Sequence, residues 1–157
     1  MTPEDRSRLV DLLTRQRLLA LAVVVDGKPV LGLMPFAYDR ERAALYVQAS
    51  RLARHSRGLL HGAAWSGVVH EPDSPEADPL QVPRLLLEGR VEPLAGDQAD
   101  FAPAARLFLS RFPGAAITLA LPDFGLFRLP LDGGRLVLGF GAALNISRSH
   151  FQDLAIS

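Results

Sequence analysis

The chain has 157 residues, 48% of them hydrophobic and 22% charged, with 17 basic groups against 17 acidic ones, the composition of one ordinary globular domain. Zero net charge argues against non-specific nucleic-acid binding, which needs clustered excess Lys and Arg, and the absence of cysteine excludes disulfides, zinc–thiolate sites, iron–sulfur clusters and a catalytic thiol. No apolar stretch approaches the ~20 residues of a membrane span. The charged, amphipathic start MTPEDRSRLVDLLTRQR lacks the apolar run of a signal peptide, so a cytoplasmic location with no membrane or nucleic-acid partner is expected.

Thr2, Pro3 and Asp5 supply an N-cap, a proline for the first helical position and an acidic residue for the first turn, which predicts a helix continuing through Leu9, Leu12 and Leu13. The period then changes. LLALAVVV ends at Asp26-Gly27, a two-residue hairpin signal, and KPVLGLMPFAY follows as a second strand. A polar turn at 39–42 leads to a third strand, ALYVQAS, completing a meander. Arg51 to His61, with Gly62 at the C-cap position, predicts a short helix. WSGVVHE reads as a strand, EPDSPEADPL as a loop, and VPRLLLEGRVEPL as one long strand entered at Pro83. Asp97 to Arg111 reads as a helix that Pro113 interrupts or restarts, and FGLFRLPL and RLVLGFG close the chain as two strands around Asp132-Gly133-Gly134. Strands joined by turns, with too few helices to serve as crossovers, predict a mainly β fold in a single domain over 1–157: a small antiparallel barrel of about seven strands with helices plugging its ends.

Gly139-Phe140-Gly141 follows a strand, but too little chain remains for a dinucleotide-binding unit, so a glycine bulge is the expected role. No two of His55, His61, His70 and His150 stand at the i, i+4 spacing of a metal site, and no metal site is expected. His70, followed by Glu71 and Asp73, reads as the exposed end of a strand. The run Ser50-Arg51-Leu52-Ala53-Arg54-His55 stands where a strand gives way to a predicted helix. A hydroxyl, free backbone N–H groups and basic side chains converge there, an arrangement suited to phosphate. The alternative is a Ser50 that only caps a helix with an Arg-rich solvated face.

In chain order, the stretches GKPVLGLMPFAYD, SRLARHSRGLL, DPLQVPRLLLEGRVEPL, SRFPGAA, DFGLFRL and GGRLVLGFGAA resemble the pyridoxamine 5′-phosphate oxidase-like, FMN-binding split-barrel superfamily, in particular the barrel domain of its haem-utilisation branch. The resemblance implies a six or seven stranded antiparallel split barrel and a homodimer with FMN at its interface. It further implies Ser50, Arg54 and His55 as phosphate ligands, Met34, Pro35 and Phe36 along the ribityl chain and isoalloxazine, and Arg84 and Gln48 as further flavin contacts. The chain departs from the oxidase pattern in carrying Gly32 where an Arg is usual and His55 where Lys is common. Arg148-Ser149-His150 copies the letters of the oxidases' substrate motif without its surroundings.

These features make an FMN-dependent oxidoreductase acting on an unidentified small substrate the expected function, with the cofactor supplying the redox chemistry and no catalytic residue assigned. Two alternatives accompany it: a haem-binding or haem-degrading protein of the haem-utilisation type, and a cofactor-free binding module. His150 is the candidate haem ligand, in a stretch, SRSHFQD, expected to fray unless docked.

Overall fold

The structure, a computed structural model, describes residues 1–154. Helix α1 (Pro3–Arg15) opens on the predicted cap: the Thr2 hydroxyl accepts from the Asp5 amide at 3.1 Å and the Asp5 carboxylate accepts from the Thr2 amide at 2.7 Å. Strands β1 (Leu18–Val25) and β2 (Lys28–Asp39) are joined by Asp26 and Gly27 at φ 51° and 73°, both positive as a tight hairpin turn requires. The first part of β2 pairs with β1 and its last part with β3 (Ala44–Ser50). Strands β4 (Ala64–His70), β5 (Arg84–Arg90) and β6 (Glu92–Leu94) follow. Next come helices α2 (Phe101–Arg111) and α3 (Ala116–Leu119), strands β7 (Phe124–Gly139) and β8 (Ala142–Ser147), and helix α4 (Arg148–Asp153).

The described residues thus form eight strands, ordered β3-β2-β1-β4-β5-β7-β6 with β8 on β7, and β3 also pairs with β7. That last pairing closes β1 to β5 and β7 into a six-stranded antiparallel barrel flanked by β6 and β8. Alternate side chains, among them Leu19, Leu21, Met34, Phe36, Leu45, Leu85 and Leu136, fill its interior. The same core takes Leu9, Leu12 and Leu13 from α1, and Phe151 and Leu154 from the chain end. Helix α2 lies outside the barrel, covering Ala37, Tyr46 and Leu126 with Ala104 and Phe108. Asp39, a buried carboxylate, accepts from the Tyr46 hydroxyl at 2.9 Å, the Arg42 amide at 3.1 Å and the Arg42 guanidinium at 3.2 Å, which locks the β2–β3 turn.

Four expectations need correction. The segment after Ser50 turns through 51–53 and makes only a five-residue 3₁₀ helix, Arg54–Gly58, without a side-chain cap. VPRLLLEGRVEPL divides into β5 and β6 at Val91, a fully buried residue whose amide and carbonyl bond to Ala63 and Gly62, so β6 leaves β4 and β5 to pair with the first half of β7. Asp132-Gly133-Gly134 is no turn, because β7 runs straight through it, bonding first to β3 and β6 and then to β5 and β8. Finally, β8 and α4 were not expected. The register shift between Val137 and Gly139 supplies the bulge, and Gly139 and Gly141, at φ 144° and 77°, turn the chain into β8.

Candidate functional site

Strands β2, β1, β4, β5, β7 and β8 present one continuous face away from the core. A row of paired residues runs across it from Leu33 through Ala20, Val68, Leu86 and Arg135 to Asn145, and the next runs from Leu31 through Ala22, Ser66, Glu88 and Gly133 to Ser147. The face is apolar and bare: Leu31 is 73% exposed, Leu33 68% and Leu18 50%. Small side chains at Ala20, Ala22 and Ser66 hollow its centre into a depression of about 650 Å³. A second groove, about 380 Å³, adjoins it at the edge, sharing Ala20 and Val68 and adding Leu18 and Leu33 as floor and Arg17, His70 and Pro72 as rim.

The predicted phosphate turn has a different occupant. The Ser50 hydroxyl donates to Asp123 Oδ2 at 2.7 Å and accepts from the Leu52 amide at 3.1 Å, while the Arg51 amide donates to the Asp123 carbonyl at 2.7 Å. A carboxylate therefore sits against the hydroxyl that a phosphate would use, and no α-helix N-terminus follows to offset its charge. His55 lies elsewhere. Its ring covers Gly32, where a Cβ would be 2.7 Å from Nδ1, on the same side of β2 as the buried Met34 and Phe36. Burial holds the His55 pKa below its ordinary value, which weakens it as a cation for a phosphate.

The remaining predicted residues are divided by the sheet. Met34 and Phe36 belong to the interior and show 3% and 0% exposure, which leaves Pro35 alone of the three open to solvent. Gln48 donates to Thr118 Oγ1 at 2.8 Å under α3. Arg54 is exposed and unpaired among the described residues. Arg84, on the outer face beside His70, donates to the Val82 carbonyl at 3.1 Å. These positions do not meet on one surface, and the phosphate end of FMN does not fit them.

His70 and His150 differ in which nitrogen carries the proton. His70 Nδ1 is 2.7 Å from the Glu71 carbonyl oxygen, which can only accept, so Nδ1 is the donor and Nε2 keeps its lone pair. His150 Nδ1 accepts from the Ser147 amide at 3.0 Å, which puts the proton of its neutral form on Nε2. The tail that carries it does not fray: Phe151 and Leu154 are fully buried, and the Asp153 and Leu154 carbonyls accept from Arg6 and Arg40. The weight of His70 was missed in the sequence because Leu18, Leu33 and Arg17 reach it only through folding.

No protein-family model matches the chain. Haem oxygenase HutZ of Vibrio cholerae is 27% identical to it over 140 residues, 88% of this chain and 78% of HutZ. The structure of a haem-binding protein from Mycobacterium smegmatis superposes with a TM-score of 0.83 at 23% identity over 98% of this chain, which spans 62% of that protein's length. Crystalline HutZ, described as a haem storage protein, gives 0.73 at 24% identity over 85% of this chain and 93% of HutZ. A Listeria innocua protein described as a pyridoxamine 5′-phosphate oxidase gives 0.64 at 13% identity over 85% of this chain and 98% of its own. The closed antiparallel barrel and these neighbours together define the fold as a split barrel of the kind seen in the Listeria protein. Within that class the chain resembles the haem-utilisation branch.

Proposed function

We propose that this protein is a homodimeric haem-binding protein, with the bare sheet face as the dimer interface and the adjoining groove as the porphyrin site. The observation that carries the reading is the six-strand apolar face with its two connected hollows, since contiguous exposed apolar surface of this kind marks an interaction site. A second copy of the chain suits it, because Glu88 and Arg135 lie on the same face and a two-fold axis brings acid and base of opposite copies into reach. The haem-related names of the sequence relative and of several structural relatives support the porphyrin over the flavin. So does the Asp123 carboxylate in the phosphate turn. When bound, an iron porphyrin supplies the ligand-binding and redox chemistry of its iron. The chain's own part is to exclude water with Leu18, Leu33 and Val68 and to offer cations and an imidazole at the rim.

Titration of the purified protein with haemin and, separately, with FMN tests this. The expected result is stoichiometric saturation of a shifted Soret band by haemin and no quenching of FMN fluorescence in the same concentration range. Stoichiometric FMN binding with haemin left unbound overturns the reading.

A further inference from the structure

We propose that the surface formed by the exit of β3 and helix α3 docks on an anionic lipid bilayer, with Leu52, Ile117 and Leu121 entering the headgroup boundary and Arg51 and Arg54 meeting lipid phosphates. The inference stands apart from the haem-binding reading. It departs from the expectation of no membrane partner, which rested on charge balanced over the whole chain.

The fold segregates that charge. From Ala43 to His70, and again from Phe101 to Pro122, the chain carries no Asp or Glu, while Glu71, Asp73, Glu76 and Asp78 crowd the loop after β4. The two acid-free segments meet at this surface. The Arg51 amide donates to the Asp123 carbonyl at 2.7 Å and Gln48 donates to Thr118 Oγ1 at 2.8 Å, so the turn that carries Leu52 is held beside the end of α3. Arg51 and Arg54 flank Leu52, both exposed and without an acidic partner among the described residues. Asp123 is half-buried and accepts from the Ser50 hydroxyl, which leaves two cations against one partly shielded carboxylate.

The apolar side chains protrude. Leu52 is 86% exposed and Ile117 77%, so each touches almost nothing of its own chain. Ile117 and Leu121 stand four residues apart, on one side of α3 and the turn that ends it, with Ala120 and Pro122 exposed between and beside them. A protein partner must supply a matched socket for every such tip. A bilayer interface accepts protruding apolar groups of any outline and offers phosphates to the cations around them. Phe140 shows that exposure alone is a different case: it is 82% exposed, but its amide donates to Gln81, just past the acidic loop, and no arginine adjoins it in the chain. Among the described residues no helix is long and apolar enough to cross a membrane, so the contact is peripheral.

Flotation of the full chain with phosphatidylcholine vesicles, with and without about one-third phosphatidylglycerol, tests this. The expected result is binding to the anionic vesicles that weakens as salt is raised and is roughly tenfold weaker on phosphatidylcholine alone. Leu52→Ser with Ile117→Ser, and separately Arg51→Gln with Arg54→Gln, should each weaken it roughly tenfold or more, whereas Phe140→Ser should leave it unchanged. These positions are solvent-exposed, and circular dichroism confirms that each variant is folded. Leu52→Trp should shift its emission to the blue on anionic vesicles, against a constant background from buried Trp65. Absence of flotation, equal binding to both vesicle types, or variants that bind as wild type overturns the proposal. So does self-association of the chain that Leu52→Ser abolishes, since a second copy would then cover the surface.

Discussion

The Ser50 hydroxyl has one acceptor, the Asp123 carboxylate at 2.7 Å, and that bond decides what the turn can bind. A phosphate near neutral pH carries about −1.5 to −2 charges and would face a carboxylate where it needs donors. FMN and riboflavin differ only by the phosphate, so the wild-type chain is expected to bind FMN no more tightly than riboflavin. Asp123→Asn, which removes the charge, should shift the preference toward FMN. Fluorescence titration with both flavins checks this, and a strong FMN preference in the wild type contradicts it. His55 gives a second test at this scale. Burial lowers its folded pKa from the ordinary value of 6.5, so the native state binds fewer protons than the unfolded chain. Its contribution is complete above the unfolded pKa and is lost as pH falls toward the depressed folded value. Urea denaturation between about pH 7.5 and pH 5 should show a smaller acid loss for His55→Gln than for wild type. An identical loss in the two proteins would remove His55 from the account.

Among the elements, β7 governs closure, since one 16-residue strand bonds to β3 and β6 in its first half and to β5 and β8 in its second. The crossing depends on close backbone approach. A Cβ on Gly134 would lie 2.2 Å from the Leu86 carbonyl oxygen, and backbone cannot rotate away as a side chain can. Gly134→Ala is therefore expected to cost about 3 kcal/mol, measured by chemical denaturation; a cost below about 1 kcal/mol would show that β5 and β7 can separate without penalty. Asp132-Gly133-Gly134 was misread as a turn because local sequence cannot show that Gly134 serves a strand whose paired residue, Leu87, is 47 positions earlier in the chain. By contrast, Asp26-Gly27, the Thr2 cap and strands β1 to β4 were legible, because their signals lie within a few residues. The candidate site divides in the same way. The Ser50 turn was visible, but Asp123 is 73 residues away. His70 looked like a strand end until β1, the link before it and β2 brought Leu18, Arg17 and Leu33 beside it.

At the scale of the whole molecule, a closed barrel should have no reason to leave Leu31 and Leu33 about 70% exposed unless something covers them. A second copy of the same face buries them and encloses the groove that holds His70 and Arg17. Leu33 pairs with Ala20 in the row that runs on to Val68 and Leu86, so Leu33→Arg places a charge on the face that a second copy would cover. The variant should remain folded, because the side chain is solvent-exposed in the single chain, and should become monomeric. The most direct measurement is sedimentation velocity of the haemin-loaded protein, followed both at the Soret band and at the protein band. The account predicts a single boundary at twice the 17.0 kDa chain mass carrying the Soret absorbance, and for Leu33→Arg a boundary at the single-chain mass with the Soret absorbance diminished. A wild-type boundary at the single-chain mass, or Soret absorbance that does not move with the protein, would contradict it.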